Sequence, residues 1–425
     1  MTTSDVESKM QALVEPWRER DLRASMPRSI VIVGDGAAGY TAAKVLRAEG
    51  FAGSISMIGS DRSATYRRPA VSKELLAGTK SVEQVLLGEP VVGVDVYHGV
   101  TALSISEDSV IVDDGDPISY DALLLATGSR ARQLDDLGSG SVFTLRTAAD
   151  VEPLREDFAR TGSLLVIGGG LIGCEAAATA RTLGAEVTVL EAAKAPLNRI
   201  APESISRMYV DMHADNGITI HTDVAVSQIE RRDDGTALVT AQDGRAWSAG
   251  TVLLAVGSVP NTELAVEFGL ATRSGVLVDA NMRTSAPNVY AAGDVAEVPN
   301  RLLGGTYRSE HWNGAVDQAT RAARSILGAE VGDLDVPWGW SNQHGVNLQF
   351  AGWTTADDDY VLVRGSIEDR RFTACAVRGD MLVGAIGIGF PKDIRQVRAI
   401  IANGNPVDRD QLTADWLERQ LTAVG

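Results

Sequence analysis

The sequence predicts an α/β protein carrying two dinucleotide-binding folds, and three observations predict it. A glycine-spaced turn follows a β-branched apolar run at residues 29–39, the same arrangement returns at residues 163–173, and 425 residues exceed what one ordinary core encloses.

In the first occurrence, Ser29-Ile30-Val31-Ile32-Val33 leads straight into Gly34-Asp35-Gly36-Ala37-Ala38-Gly39. The run reads as a buried parallel strand and the glycines as a phosphate-binding loop. Gly34 permits the tight turn and Gly36 lets backbone N–H groups approach a pyrophosphate. Gly39, next to Ala38, lets the following helix pack on the sheet. A helix over residues 40–47 then aims its positive end at the anion, and a strand over 54–58 closes the unit. No acid stands at that strand's end, where Gly59 and Ser60 fall, so Asp61 is the nearest candidate for a ribose contact.

Next comes Tyr66-Arg67-Arg68-Pro69-Ala70-Val71-Ser72-Lys73-Glu74-Leu75, a proline-broken loop entering a helix that Ser72 is placed to cap. Strands are expected over 94–97, 102–105 and 109–112. An apolar stretch over 120–128 ends in Ala126-Thr127-Gly128, a small-residue turn where the chain crosses between domains close to a cofactor.

The opening pattern then repeats. A strand over 163–167 runs into Gly168-Gly169-Gly170-Leu171-Ile172-Gly173, a helix over 174–183 is stopped by Gly184, and a strand over 186–190 ends in Glu191. A carboxylate about 20 residues past the loop accepts both ribose hydroxyls of an adenosine and repels a 2′-phosphate. This second site should prefer NADH to NADPH, with Lys194 and Arg199 near enough to soften the preference. Two such folds imply two nucleotides, with a hydride or electrons passing between them. Residues 251–257, ending Ala255-Val256-Gly257, echo the 126–128 turn. Residues 288–295 end a strand in Gly293-Asp294 ahead of an expected helix. Asp294 there either bonds a polyol such as the ribitol of a flavin or caps the helix.

The net charge of −17 argues against nucleic acid as a partner and requires a local basic patch for any acidic protein partner. Asp113, Asp114, Asp116 and residues 357–359 read as solvated loops. Cys174 and Cys375, the only two cysteines, exclude a disulfide framework and a Cys-x-x-Cys pair and fit a reducing cytosol. With no apolar run of about 18 residues, a soluble cytoplasmic protein without a membrane partner is expected. Residues 1–26 read as a loosely attached extension or short helix.

The two glycine loops, the Ala126 turn and Gly293-Asp294 together resemble the two-dinucleotide-binding flavoprotein family that includes glutathione reductase. One branch matches more closely, the ferredoxin reductases typified by putidaredoxin reductase and the reductase components of aromatic-ring dioxygenases. That match rests on Arg68-Pro69 with Ser72-Lys73, Gly170 to Glu175, Glu310-His311-Trp312, Trp340-Ser341-Asn342-Gln343 and Phe390-Pro391-Lys392-Asp393-Ile394-Arg395, and spans about residues 28–405.

The resemblance implies two Rossmann-like domains plus a C-terminal α+β domain. FAD would bind to residues 27–133 and 260–331 and NADH to 134–259, with the C-terminal domain at 332–425. Implied cofactor contacts include both loops, Arg68, the 126–128 and 256–257 turns and Gly293-Asp294. Lys73 would stand beside flavin N5, paired with Glu175, an ammonium stabilising the charge of reduced flavin. Trp312 would lie near the flavin and Glu310 near the nicotinamide, although a core tryptophan and a capping glutamate read equally well. No cysteine precedes Lys73, so electrons would leave the flavin directly for a two-iron ferredoxin serving a Rieske oxygenase or haem-thiolate monooxygenase. Arg67, Arg68, Arg308, Lys392, Arg395 and Arg398 are candidates for the basic docking patch. The chain departs from the branch at Arg67, which replaces an acid, at Ala70, which replaces a proline, and at Asn342, where many relatives carry a carboxylate. Two other readings stay open: a small-molecule acceptor, or an NADH-binding signalling flavoprotein of the apoptosis-inducing-factor kind.

Overall fold

The computed structural model of the chain describes residues 26–134, 142–300 and 302–422. The extension expected over residues 1–26 lies outside them except at Met26. Two compact units are present, one from the described parts of Met1–Arg68, Val82–Arg130 and Val259–Asp335, the other from Pro69–Ser81, Ala131–Ser258 and Val336–Gly425.

At the centre of the first unit is a five-stranded parallel sheet in the order Val289–Ala291, Ala122–Leu125, Ser29–Val33, Ser54–Gly59, Val94–His98. Its central strands are continuous apolar runs because both faces are covered. Helix Ala37–Ala48 packs against helix Trp312–Ile326. Ala42, Ala43, Ala319, Ala322 and Ala323 are buried there, and their small side chains let the two backbones come close. A three-stranded antiparallel meander, Ala102–Ile105, Ser109–Val112 and Ile118–Ser119, completes the unit's larger elements.

The second unit repeats the plan with four parallel strands in the order Ile218–His221, Glu186–Leu190, Ser163–Ile167, Thr251–Leu254, and adds a meander of Val226–Arg231, Ala237–Ala241 and Ala246–Ala249. It also holds a five-stranded antiparallel sheet, Trp338–Gln343, Val346–Gly352, Met381–Ile388, Arg371–Arg378 and Asp359–Ser366, backed by helix Pro391–Asn403. One apolar cluster joins this sheet to the dinucleotide fold. Ile205, Tyr209 and Met212 of helix Glu203–Asp215 pack with Leu348, Phe350, Phe372 and Ile386.

Four expectations need correction. Ser72 caps no helix: it lies inside a π-helix, Val71–Leu75, that has no side-chain cap. Asp294 is followed by strand Ala296–Pro299 rather than a helix, so the capping alternative falls. Asp358 is not solvated, because its side chain is 2% exposed and accepts from Arg378 Nε at 2.7 Å and from the Thr355 N–H at 2.7 Å. Both helices after the glycine loops begin earlier than expected, at Ala37 and Leu171, because Gly36 and Gly170 are themselves the N-caps.

Candidate active site

The two glycine loops have the same backbone. Gly34 and Gly168 both adopt φ +110°, and their N–H groups donate to Ile58 O at 2.7 Å and Leu190 O at 2.8 Å. A Cβ at Gly34 would overlap the Ala126 carbonyl, and one at Gly168 would overlap the Ala255 carbonyl. Likewise Gly39 and Gly173 each have a loop carbonyl, Gly34 O and Gly168 O, where a side chain would begin. The contrast is at Gly36 and Gly170, where a Cβ would meet nothing within 4 Å.

These two positions supply the test of cofactor fit. Each helix starts without a capping side chain and without an acid in its first turn. The orphan N–H groups and the positive helix end therefore face open space at the glycine. That arrangement fits the pyrophosphate of a dinucleotide at both loops.

Around the first loop, Thr127 and Gly128 are tied down by Asn261. Thr127 Oγ1 donates to Asn261 O at 2.8 Å, and Asn261 Nδ2 donates to Thr127 O at 2.9 Å. The Asp294 carboxylate accepts Ser129 Oγ at 2.8 Å, and the Gly293 N–H donates to Gln318 Oε1 at 2.8 Å. Asp61 accepts Tyr66 Oη at 3.0 Å, and Arg68 lies over the Tyr66 ring at 5.7 Å. Arg308 is engaged by Asp294 O at 3.1 Å and by Glu310 at 2.5 Å, so it is a weak candidate for docking a partner. Trp312 opens its helix, with His311 as the N-cap.

Beside the second loop, Glu191 Oε2 accepts the Gly169 N–H at 2.6 Å and Oε1 accepts the Ala193 N–H at 2.7 Å. The carboxylate is thereby fixed at the strand end, with lone pairs left for ribose hydroxyls. Ala38 lies in the first turn of helix Ala37–Ala48, Leu171 and Ile172 open helix Leu171–Thr182, and Val256 and Gly257 follow strand Thr251–Leu254.

The second unit brings Lys73 and Glu175 together. Lys73 Nζ donates to Glu175 Oε2 at 2.5 Å, and Ser72 Oγ donates to the same oxygen at 2.5 Å. The π-helix is held on helix Leu171–Thr182 by Thr179 Oγ1, which donates to Ser72 O at 2.8 Å. π-Helical turns recur at functional sites, and this one aims Lys73 at the helix.

Sequence reasoning missed what lies behind Glu175. Ser341 Oγ donates to Glu175 Oε1 at 2.6 Å and Gln343 Nε2 to Ser341 Oγ at 3.0 Å. Gln343 Oε1 bonds His213 Nε2 at 2.9 Å, and His213 Nδ1 bonds His344 Nε2 at 3.2 Å. Burial pushes the His213 pKa down to about 4, so the ring is neutral at physiological pH. An amide oxygen only accepts, so the proton sits on His213 Nε2 and the bare Nδ1 accepts from His344. Every donor in the chain points towards Glu175. The available signal was the alternation in Trp340-Ser341-Asn342-Gln343, which buries Ser341 and Gln343 and exposes Asn342.

Cys174 and Cys375 are free and fully buried, and burial raises each thiol to about 12. On helix Pro391–Asn403, Lys392 and Arg395 are exposed, whereas Arg398 lies over the Trp338 ring at 5.0 Å. No helix among the described residues is long and apolar enough to cross a membrane.

Residues 28–319 match the family model for pyridine nucleotide-disulphide oxidoreductases, and residues 338–418 match that for the reductase C-terminal domain. Rhodocoxin reductase of Rhodococcus erythropolis is 36% identical over 392 residues, covering 90% of this chain and 91% of that protein. The ferredoxin–NAD(+) reductase subunit of the benzene 1,2-dioxygenase system of Pseudomonas putida is 38% identical over 389 residues, 88% of this chain and 93% of that one. Among solved structures, the covalent putidaredoxin reductase–putidaredoxin complex matches with a TM-score of 0.86 at 32% identity, over 93% of this chain and 98% of that chain.

Proposed function

We propose, for a chain that belongs to the pyridine nucleotide-disulphide oxidoreductase family, that it is an FAD-dependent NADH:ferredoxin reductase. The observation that carries the reading is the pairing of two matched, open glycine loops with two lone, buried thiols. Two nucleotides have places to bind, and neither cysteine is able to pass electrons on as a thiolate. Similar proteins are named for ferredoxin reductase activity in dioxygenase systems, and one is solved in covalent complex with putidaredoxin. The acceptor proposed here is accordingly a two-iron ferredoxin serving a Rieske oxygenase or haem-thiolate monooxygenase.

FAD is assigned to residues 27–133 with 260–331, NADH to 134–259, and the C-terminal domain to 332–425. Bound FAD supplies a centre that accepts two electrons at once and releases them singly. Around it, the first loop and Gly293-Asp294 hold the pyrophosphate and polyol, with Arg68 and the 126–128 turn closing the site. Glu191 takes the adenosine ribose of NADH and disfavours a 2′-phosphate. Lys73 supplies a fixed cation, and Glu175 holds it in place while Ser72 and Ser341 hold Glu175. Trp312 and Glu310 are assigned to the flavin and nicotinamide rims. Lys392, Arg395, Arg67 and Arg68 supply positive charge for an acidic partner. Two buried free thiols suit a reducing compartment, and the proposed location is the cytoplasm.

NADH-driven cytochrome c reduction by the purified protein, with and without added two-iron ferredoxin, tests the reading. A rate that depends on ferredoxin supports it. Flavin bleaching by NADH with no ferredoxin-dependent increase, together with rapid turnover of a quinone or oxygen, would falsify it in favour of a small-molecule acceptor.

A further inference from the structure

The two loops can be aligned residue by residue through their backbone hydrogen bonds. Gly34 bonds Ile58 as Gly168 bonds Leu190, so Asp35 corresponds to Gly169 and Gly59 to Glu191. In the second fold the acid is at the strand end and the loop position is glycine. A Cβ at Gly169 would lie 3.0 Å from Glu191 Oε2. The first fold has the reverse arrangement: the strand end is glycine, and a Cβ built on Gly59 would overlap the Asp35 carboxyl group itself. Glycine on one side makes room for the acid on the other in both folds.

From this exchange we infer that Asp35, reaching across from the loop to the end of strand Ser54–Gly59, is the carboxylate that receives the adenosine ribose hydroxyls of FAD. The position beyond the second strand of a dinucleotide fold is where the ribose carboxylate is needed, whichever residue supplies it. Asp35 is held there by His98, at the end of the neighbouring strand and opposite Gly59 in register. His98 Nδ1 donates to Asp35 Oδ2 at 3.1 Å. That bond leaves Asp35 Oδ1 and further lone pairs to accept hydroxyls, as a carboxylate has about four acceptor sites. Asp61, the acid nearest in sequence to the strand end, is engaged elsewhere by Tyr66 Oη and the Ser63 N–H. Gly59 is thus a specificity-determining position as much as Asp35, since any side chain there displaces the carboxylate.

This inference rests on the assignment of FAD to the first fold, and its test reads flavin affinity alone. The holoprotein is diluted serially and free flavin is separated by ultrafiltration to give a dissociation constant. Asp35→Asn and Gly59→Ala are each expected to weaken FAD binding at least tenfold, and Asp61→Asn to leave it within twofold. The double variant Asp35→Gly with Gly59→Glu transplants the arrangement of the second fold, and is expected to recover most of the affinity. That recovery guards against loss through misfolding of the single variants, which thermal melts monitor in parallel. Unchanged affinity in Asp35→Asn, a loss confined to Asp61→Asn, or a double variant no better than Gly59→Ala in a folded protein overturns the assignment. Tight FAD binding without ferredoxin reduction would defeat the reductase reading and leave this one standing.

Discussion

In the first fold the loop carries the acid and the strand end is bare. In the second the strand end carries the acid and the loop is bare, although the backbones turn at the same φ and close the same hydrogen bond. What the chain places between loop and strand end at each site is a carboxylate, with a glycine where that carboxylate would otherwise collide. A motif read along the sequence registers the acid's position in the chain, which is the less constrained quantity. The folds also differ two residues past the last loop glycine, where the first has Thr41 and the second Glu175, the anchor of Lys73.

The largest effects should come from attacking what the loops share. Gly34→Ala and Gly168→Ala each combine left-handed strain with a carbonyl overlap, together costing about 4 kcal/mol or more. The first variant should purify without flavin, and the second should stay yellow but fail to bleach with NADH. If both lost flavin, or neither did, the division of cofactors between the loops would be wrong.

Histidine placement sharpens the contrast. His98 beside Asp35 has a side chain one-third exposed, whereas His213 is buried and its pKa lies near 4 rather than the ordinary 6.5. A depressed pKa means the unfolded chain takes up this proton first. The stability contribution is complete above about pH 6.5 and is lost as pH falls towards about 4, a total of about 3 kcal/mol. Chemical denaturation of the wild type and His213→Leu between about pH 7 and about pH 4.5 measures it, and the variant should show the flatter dependence. Identical slopes would show that His213 does not titrate in this way.

A smaller change is expected from Lys73→Met, which removes the charge anchored by Glu175, the residue whose counterpart in the first fold is Thr41. Flavin content should be normal and the rate of flavin reduction by NADH should fall about a hundredfold, the scale of losing one fixed electrostatic group. Normal reduction would remove Lys73 from the site. Smallest of all, Glu191→Gln should cut the preference for NADH over NADPH roughly tenfold, about 1.4 kcal/mol, in the ratio of kcat/KM values. An unchanged ratio would mean that Glu191, already bonded to Gly169 and Ala193, does not reach the ribose.

Much of the fold was legible because its signals are local. Buried parallel strands are largely apolar runs, and the loops need glycine where a carbonyl crowds the turn at Ala126 and Ala255. Strands Ser163–Ile167 and Glu186–Leu190 fall where the sequence puts them. The site was less legible wherever its parts lie far apart in the chain. Ser341 and Gln343 reach Glu175 and His213 across more than a hundred residues, and the packing of helices Leu171–Thr182 and Glu203–Asp215 on the C-terminal sheet brings them together. Asp35 was visible as a letter inside the loop. Its meaning came from Gly59, a residue whose contribution is the absence of a side chain.

The most direct test of the whole account is a double-mixing stopped-flow experiment under anaerobic conditions. The holoprotein is reduced by one equivalent of NADH and then mixed with two equivalents of oxidised two-iron ferredoxin. Flavin absorbance is expected to return as ferredoxin absorbance bleaches, two ferredoxins per flavin, fast enough to support turnover and slowed by added salt. A flavin that stays reduced beside oxidised ferredoxin, yet reoxidises at once with a quinone or oxygen, would contradict it.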